Sequence, residues 1–124
     1  MLELAITSPD GAKLVNVVFD AIADRRGRSI LAVRDQNTFD PGLRKKRLMT
    51  LVQLYLAHRY RADTVHFLTP TDDNLKQCEA MKARGIFKSV QTEIGEIIVA
   101  DVVKTRVKEL AGADRSALEA LIKG

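Results

Sequence analysis

The chain has 124 residues, one cysteine, no tryptophan and a formal net charge of +4. That length supports a single hydrophobic core, and one thiol excludes an internal disulfide or a multi-cysteine metal site. No window reaches the roughly 20 apolar residues of a membrane span and no charged-then-apolar leader opens the sequence, so the expectation is a cytoplasmic protein with no membrane partner.

Leu2–Thr7 alternates apolar and polar residues and reads as a half-buried strand. Ser8-Pro9-Asp10-Gly11 is a turn, with proline presetting one dihedral and glycine permitting positive φ. Lys13–Ala23 is apolar and β-branched and reads as a second strand; Asp24–Gly27 turns the chain into a third, Arg28–Arg34. The first third is therefore a β-meander. Asp35–Gly42 is dense in turn formers and predicts a loop. A long helix is expected from about Leu43 to His58–Arg61, with Leu48, Leu51, Val52 and Tyr55 on one apolar stripe that Leu54 and Leu56 widen. Thr64–Leu68 predicts a strand parallel to the third, because strand, helix and strand in that order form a crossover. Thr69–Asn74 reads as a polar loop, Leu75–Arg84 as a short helix stopped by Gly85, and Phe87–Thr92 with Glu96–Val102 as a hairpin turning at Gly95. Two short helices are expected after Lys104, the second capped by Asp114.

The junction after the third strand carries the chemistry. The first N–H groups of a helix have no internal partner, and the helix dipole adds positive potential there. In this sequence Arg44, Lys45, Lys46 and Arg47 stand at that point, after Phe39 and Gly42 and beside Leu43. The expectation is a bound phosphate-bearing ligand. Other candidates read as structural: Cys78 as a core thiol, Tyr55 and Tyr60 as packing residues, His58 as a partner of the helix dipole, His66 as a strand residue, and Arg25, Arg26 and Arg28 as a hairpin tip.

The element order, with Asn74, Met81 and Gly85-Ile86-Phe87 in its second half, resembles the GNAT N-acetyltransferase fold. The resemblance implies an α/β (α+β) class: a GNAT-like mixed central sheet flanked by helices and abbreviated at its N-terminus. It also implies a coenzyme A pyrophosphate on the helix N–H groups. The pantetheine arm would lie between the strands at Ile30–Arg34 and Thr64–Leu68, beside Leu31 and Val33, with Asn74 near it. Two departures follow from the residues. Phe39-Asp40-Pro41-Gly42-Leu43-Arg44 keeps one small residue of the family's phosphate loop, with Arg44 where another small one is usual. Met81 stands where the family has its general-acid tyrosine, and a thioether has no proton to give. The expectation is coenzyme binding without transfer.

A longer resemblance runs through Val33-Arg34-Asp35, Leu43–Leu48, Arg59–Asp63, Leu68–Asn74, Met81-Lys82, Gly85–Phe87 and Thr92–Val102. These blocks are similar to the C-terminal domain of the long, mycobacterial-type isocitrate lyases. The resemblance implies one non-catalytic regulatory domain over residues 1–124. It would bind acetyl-CoA or propionyl-CoA as effector, hold no metal, self-associate when liganded and act on the lyase catalytic domain of its parent chain. An active small N-acetyltransferase is the first alternative, and Met81 counts against it. A basic nucleic-acid-binding module is the second; mixed charge signs and few aromatic residues count against that.

Overall fold

The computed structural model of the chain describes residues 1–39, 48–93 and 97–112. Its strands are β1 (Leu2–Thr7), β2 (Lys13–Ala23), β3 (Ser29–Thr38), β4 (Thr64–Phe67), β5 (Phe87–Glu93) and β6 (Ile97–Val102). Its helices are α1 (Leu48–Arg59), α2 (Asp72–Ala83) and α3 (Lys104–Ala111). The six strands form one mixed sheet in the order β1-β2-β3-β4-β6-β5. β1, β2 and β3 are the antiparallel meander; β3 and β4 are parallel across the α1 crossover; β6 lies antiparallel between β4 and β5. The architecture is mixed α/β and GNAT-like, and β1 passes to β2 by a turn alone.

Alternation along the strands sends every second residue to the helix side. Val15, Val17 and Phe19 of β2, Leu31 and Val33 of β3, Val65 and Phe67 of β4, and Ile98, Ala100 and Val102 of β6 meet Val52, Leu54, Leu56, Cys78, Met81 and Val107 from the helices. The parallel register, Leu31 beside Val65 and Val33 beside Phe67, puts those four side chains on the same face.

Three elements differ from expectation. β3 runs on to Thr38, because Asp35–Thr38 pair with Val18–Val15 of β2, and the Asn37 amide donates to Asn16 Oδ1 at 3.0 Å. The ladder overrides the turn-forming composition, as tertiary context often does. α2 starts earlier, at Asp72, because Thr71 is its N-cap. The Thr71 hydroxyl accepts from Asn74 N at 3.2 Å, and Thr71 N donates to Asn74 Oδ1 at 2.9 Å, which closes a capping box. In α1, Tyr55 is 53% exposed while Gln53 is buried, so the buried arc turns toward Gln53 and Leu56. A tyrosine keeps its hydroxyl in water there, and inside, the amide nitrogen of Gln53 donates to Gln36 Oε1. Tyr60 does pack, with its ring edge-on to Phe19 at 5.5 Å between centroids.

The end of α2 is as expected. Gly85 has φ +76°, Ile86 N donates to Met81 O at 3.0 Å, and Gly85 N to Lys82 O at 3.0 Å, which together form a Schellman cap. The expected helix start at Leu43, the Gly95 turn and the helix at Asp114 lie outside the described residues.

Asp63 ties four segments together. Its carboxylate accepts from Ser29 N at 2.8 Å and from Lys104 Nζ at 2.7 Å, while its backbone pairs with Ser29 O and Val102 N. The bond from Lys104, then that from Ser29, holds its carboxyl below the usual range. A carboxyl depressed in the folded state contributes stability above its unfolded value, lost as pH falls through the folded one. We expect Asp63→Asn to cost about 2 kcal/mol near neutral pH, a fall in Tm of roughly 8 °C. Thermal melts should show the gap to the wild type constant down to about pH 4 and narrowing below it.

Candidate functional site

β3 and β4 pair only from Ile30 with Thr64 to Val33 with Phe67, and then part. The cause is a bulge. Val18 stands opposite Asp35 and Phe19 opposite Val33, so Arg34 is the extra residue and β3 bends there while staying with β2. The parting is closed off at its base by Leu68 N to Val33 O and Thr69 Oγ1 to Arg34 O, both 2.9 Å. Beyond that point the β4-facing side of β3 has no strand partner among the described residues. Beyond Arg34, an extended molecule that carries amides would find here the edge that β4 leaves.

A cleft of about 620 Å³ lies against this stretch. Its walls are the end of β3 (Gln36, Thr38), the start of α1 (Met49, Thr50) and one side of α2 from Thr71 to Arg84. A smaller recess of about 50 Å³ reaches into the parting itself, between Val33, Arg34, Phe67 and Thr69. Gln36, Thr71 and Asn74 line both, so the two spaces share a wall.

The two helices that border the cleft differ in charge at their starts. The first turn of α2 holds Asp72 and Asp73, which oppose an anion. The first turn of α1 has no acidic residue. An anionic ligand group is therefore better placed at the α1 end. A polar line also runs from the core to this wall, which Gln36 and Gln77 line. Gln53 Nε2 donates to Gln36 Oε1 at 2.8 Å, and Gln36 Nε2 to Gln77 Oε1 at 2.6 Å.

The residues singled out from the sequence fall in different places. Val33 lines the recess, and Asn74 lines both spaces; its amide oxygen is committed to Thr71, which leaves its NH₂ as the group it can offer. Leu31 lies where the strands are still paired, with its side chain in the core. Phe39 is exposed and lines neither space. Gly42, Leu43, Arg44, Lys45, Lys46 and Arg47 lie outside the described residues, between Thr38 and Met49, which both line the cleft. Sequence reasoning missed Gln36, Gln53 and Gln77. A glutamine on an apolar helical face, as Gln53 is, was the available signal.

Cys78 and Met81 are both buried under α2, and burial, with Glu79 beside it, pushes the Cys78 thiol up to about 12. His66 is half-buried on β4 and lines neither space. Among the described residues, no cluster of three or more His, Cys, Asp or Glu side chains could hold a metal ion, and no helix is long and apolar enough to cross a membrane.

No family model matches the chain. It is 57% identical over 122 residues, 98% of its length, to a chain named as an isocitrate lyase subunit in Mycobacterium tuberculosis (strain ATCC 25618 / H37Rv), of which it spans 31%. It is also 57% identical over 122 residues to isocitrate lyase 2 of Mycobacterium tuberculosis (strain ATCC 35801 / TMC 107 / Erdman) and of Mycobacterium bovis, spanning 16% of each. The chain thus covers a minor part of these relatives, yet the similarity to isocitrate lyase chains runs through nearly all of it.

The thiol supplies a direct check on this side of the site. A rise from 9.0 to about 12 leaves about a thousandfold less thiolate at a given pH, and thiolate is the reactive form. At pH 8 the folded chain should react with a neutral thiol reagent at least ~100-fold more slowly than the chain in denaturant. Equal rates would show Cys78 to be accessible.

Proposed function

We propose that residues 1–124 are a regulatory domain of an isocitrate lyase, a carbon–carbon lyase of the cytoplasm, and that the domain binds acetyl-CoA or propionyl-CoA as an effector. The observation that carries this reading is the 57% identity over 98% of the chain to isocitrate lyase 2 and to the shorter isocitrate lyase chain. The geometry supports it. A pantetheine arm is extended and amide-bearing, and the open side of β3 beyond Val33 offers it backbone partners as a neighbouring strand would. The recess at Val33 and Phe67, about 50 Å³ and lined by Asn74, extends the cleft into the parting on the side where the acyl end of the arm would lie.

The diphosphate belongs at the other end of the cleft. The α2 start carries Asp72 and Asp73. Four cations, Arg44 to Arg47, stand in the chain between the cleft-lining Thr38 and Met49. Phosphate draws on helix N–H groups and on cationic side chains alike.

Binding is the whole of this chain's task in this reading. Met81 is a buried thioether and donates no proton, and the Cys78 thiol stays protonated at neutral pH. Regulation then comes from differential affinity. An effector that binds one arrangement of the domain more tightly shifts the parent enzyme toward it. The partners are the lyase catalytic domain and a second copy of this domain.

Calorimetry with acetyl-CoA tests the reading. Binding at micromolar to millimolar ligand, with no release of free CoA when an amine is added, is the expected result. Replacing Arg44, Lys45 and Arg47 together by alanine should weaken binding by about 10- to 100-fold at low salt and leave Tm nearly unchanged. Absence of both heat and a thermal shift would sink the proposal, and steady CoA release would favour the transferase instead. Tight binding of duplex or single-stranded nucleic acid with a steep salt slope would favour the third class.

A further inference from the structure

We infer that Gln77 recognises an amide group of the ligand in the cleft, with Gln77 as the contact and Gln36 and Gln53, which holds Gln36 from behind the wall, as positioning residues. This inference rests on the acyl-CoA reading and adds to it the group that is read and the side chains that read it.

The three amides come from three elements. Gln53 is on α1, Gln36 on β3 beyond the parting, and Gln77 on α2. Their two hydrogen bonds, 2.8 Å and 2.6 Å, make a continuous line from the core to the inner wall. A primary amide offers donors at one end and acceptors at the other, so a row of such groups has a direction. This row is one bond short at each end. Gln53 Oε1 and Gln77 Nε2 are both buried and have no partner.

Buried polar groups are ordinarily satisfied, and one left unmet opposes the fold. Turning all three amides about their terminal torsions, which are broadly two-fold, keeps both bonds and exchanges the orphans. Gln77 then presents an unmet oxygen and Gln53 an unmet nitrogen. Gln77 therefore has a spare hydrogen-bonding group in either direction, whichever way its oxygen and nitrogen are assigned.

The two ends differ in what can reach them. Gln53 is 1% exposed, held beneath α1. Gln77 is half-buried and lines the 620 Å³ cleft. Its Nε2 is closed off from solvent in this structure, so contact requires its side chain to swing toward the cleft. Nothing inside the row favours one direction, so a ligand group at Gln77 sets it. A secondary amide supplies both an acceptor and a donor and satisfies Gln77 either way. The pantetheine arm of an acyl-CoA carries such amides; its nucleotide end carries none.

Calorimetry on the 124-residue chain with acetyl-CoA and with adenosine 3′,5′-bisphosphate, which lacks the arm, tests this. Gln77→Leu should weaken acetyl-CoA about tenfold and leave the bisphosphate within about twofold of the wild type. Gln53→Leu should give a smaller loss, about threefold, again confined to acetyl-CoA. Gln77→Met serves if the leucine variant melts early. Wild-type affinity for acetyl-CoA in both Gln77 variants, or an equal loss of the two ligands, overturns the amide-reading role while the acyl-CoA reading stands. A wild-type chain that binds neither ligand ends both.

Discussion

The parting of β3 from β4 is the constraint that the rest of the structure answers to. Buried backbone N–H and C=O groups have to be paired. Up to Val33 and Phe67 the two strands satisfy each other. At Arg34 the bulge bends β3 away, and β2 follows it as far as Thr38. One side of β3 stays paired with β2, and the other has no strand partner there among the described residues. Leu68 N and Thr69 Oγ1 close the base of the opening on the carbonyls of Val33 and Arg34. The cleft exists because a strand ends here before its neighbour does.

The flanking elements hold that geometry with short polar contacts as well as with core packing. α2 is fixed at both ends, by the Thr71–Asn74 capping box and by the Schellman cap at Gly85, so the side that faces the cleft has a defined rotation. Met81 and Ile86 bury its last turn in the core. The glutamine row braces α1, β3 and α2 against one another. At the opposite end of the sheet, Asp63 joins the start of β3 to the start of α3. Bonds of this kind set position more than they add stability, since each exchanges water for a protein partner.

Charge divides the cleft. The carboxylates at the start of α2 make that end unfavourable for an anion, while the α1 end carries no acid in its first turn. A ligand that is anionic at one end and amide-bearing at the other suits such an asymmetry. The similarity to isocitrate lyase chains runs over 98% of the length, so it takes in every element that borders the cleft.

Much of the fold was legible in the sequence, because the local signals agree with the tertiary outcome. The turns at Ser8–Gly11 and Asp24–Gly27, the alternating strands and the Gly85 stop need only short-range chemistry, and all stand where expected. The candidate site was legible in part. Asn74 and Val33 were named from a resemblance and do line the cleft spaces, but Leu31 lies in the core and Phe39 in solvent. The glutamine row could not be read, since its members are 17 and 41 residues apart in sequence across its two bonds. By itself the sequence determined the type and order of the described elements and the cationic run, all of which follow from residue type and spacing along the chain. Only the tertiary structure decided how far β3 follows β2, which face of α1 turns inward, and which amides meet. Those depend on partners distant in the chain, whose hydrogen bonds outweigh the local preference of residues such as Asp35 and Asn37.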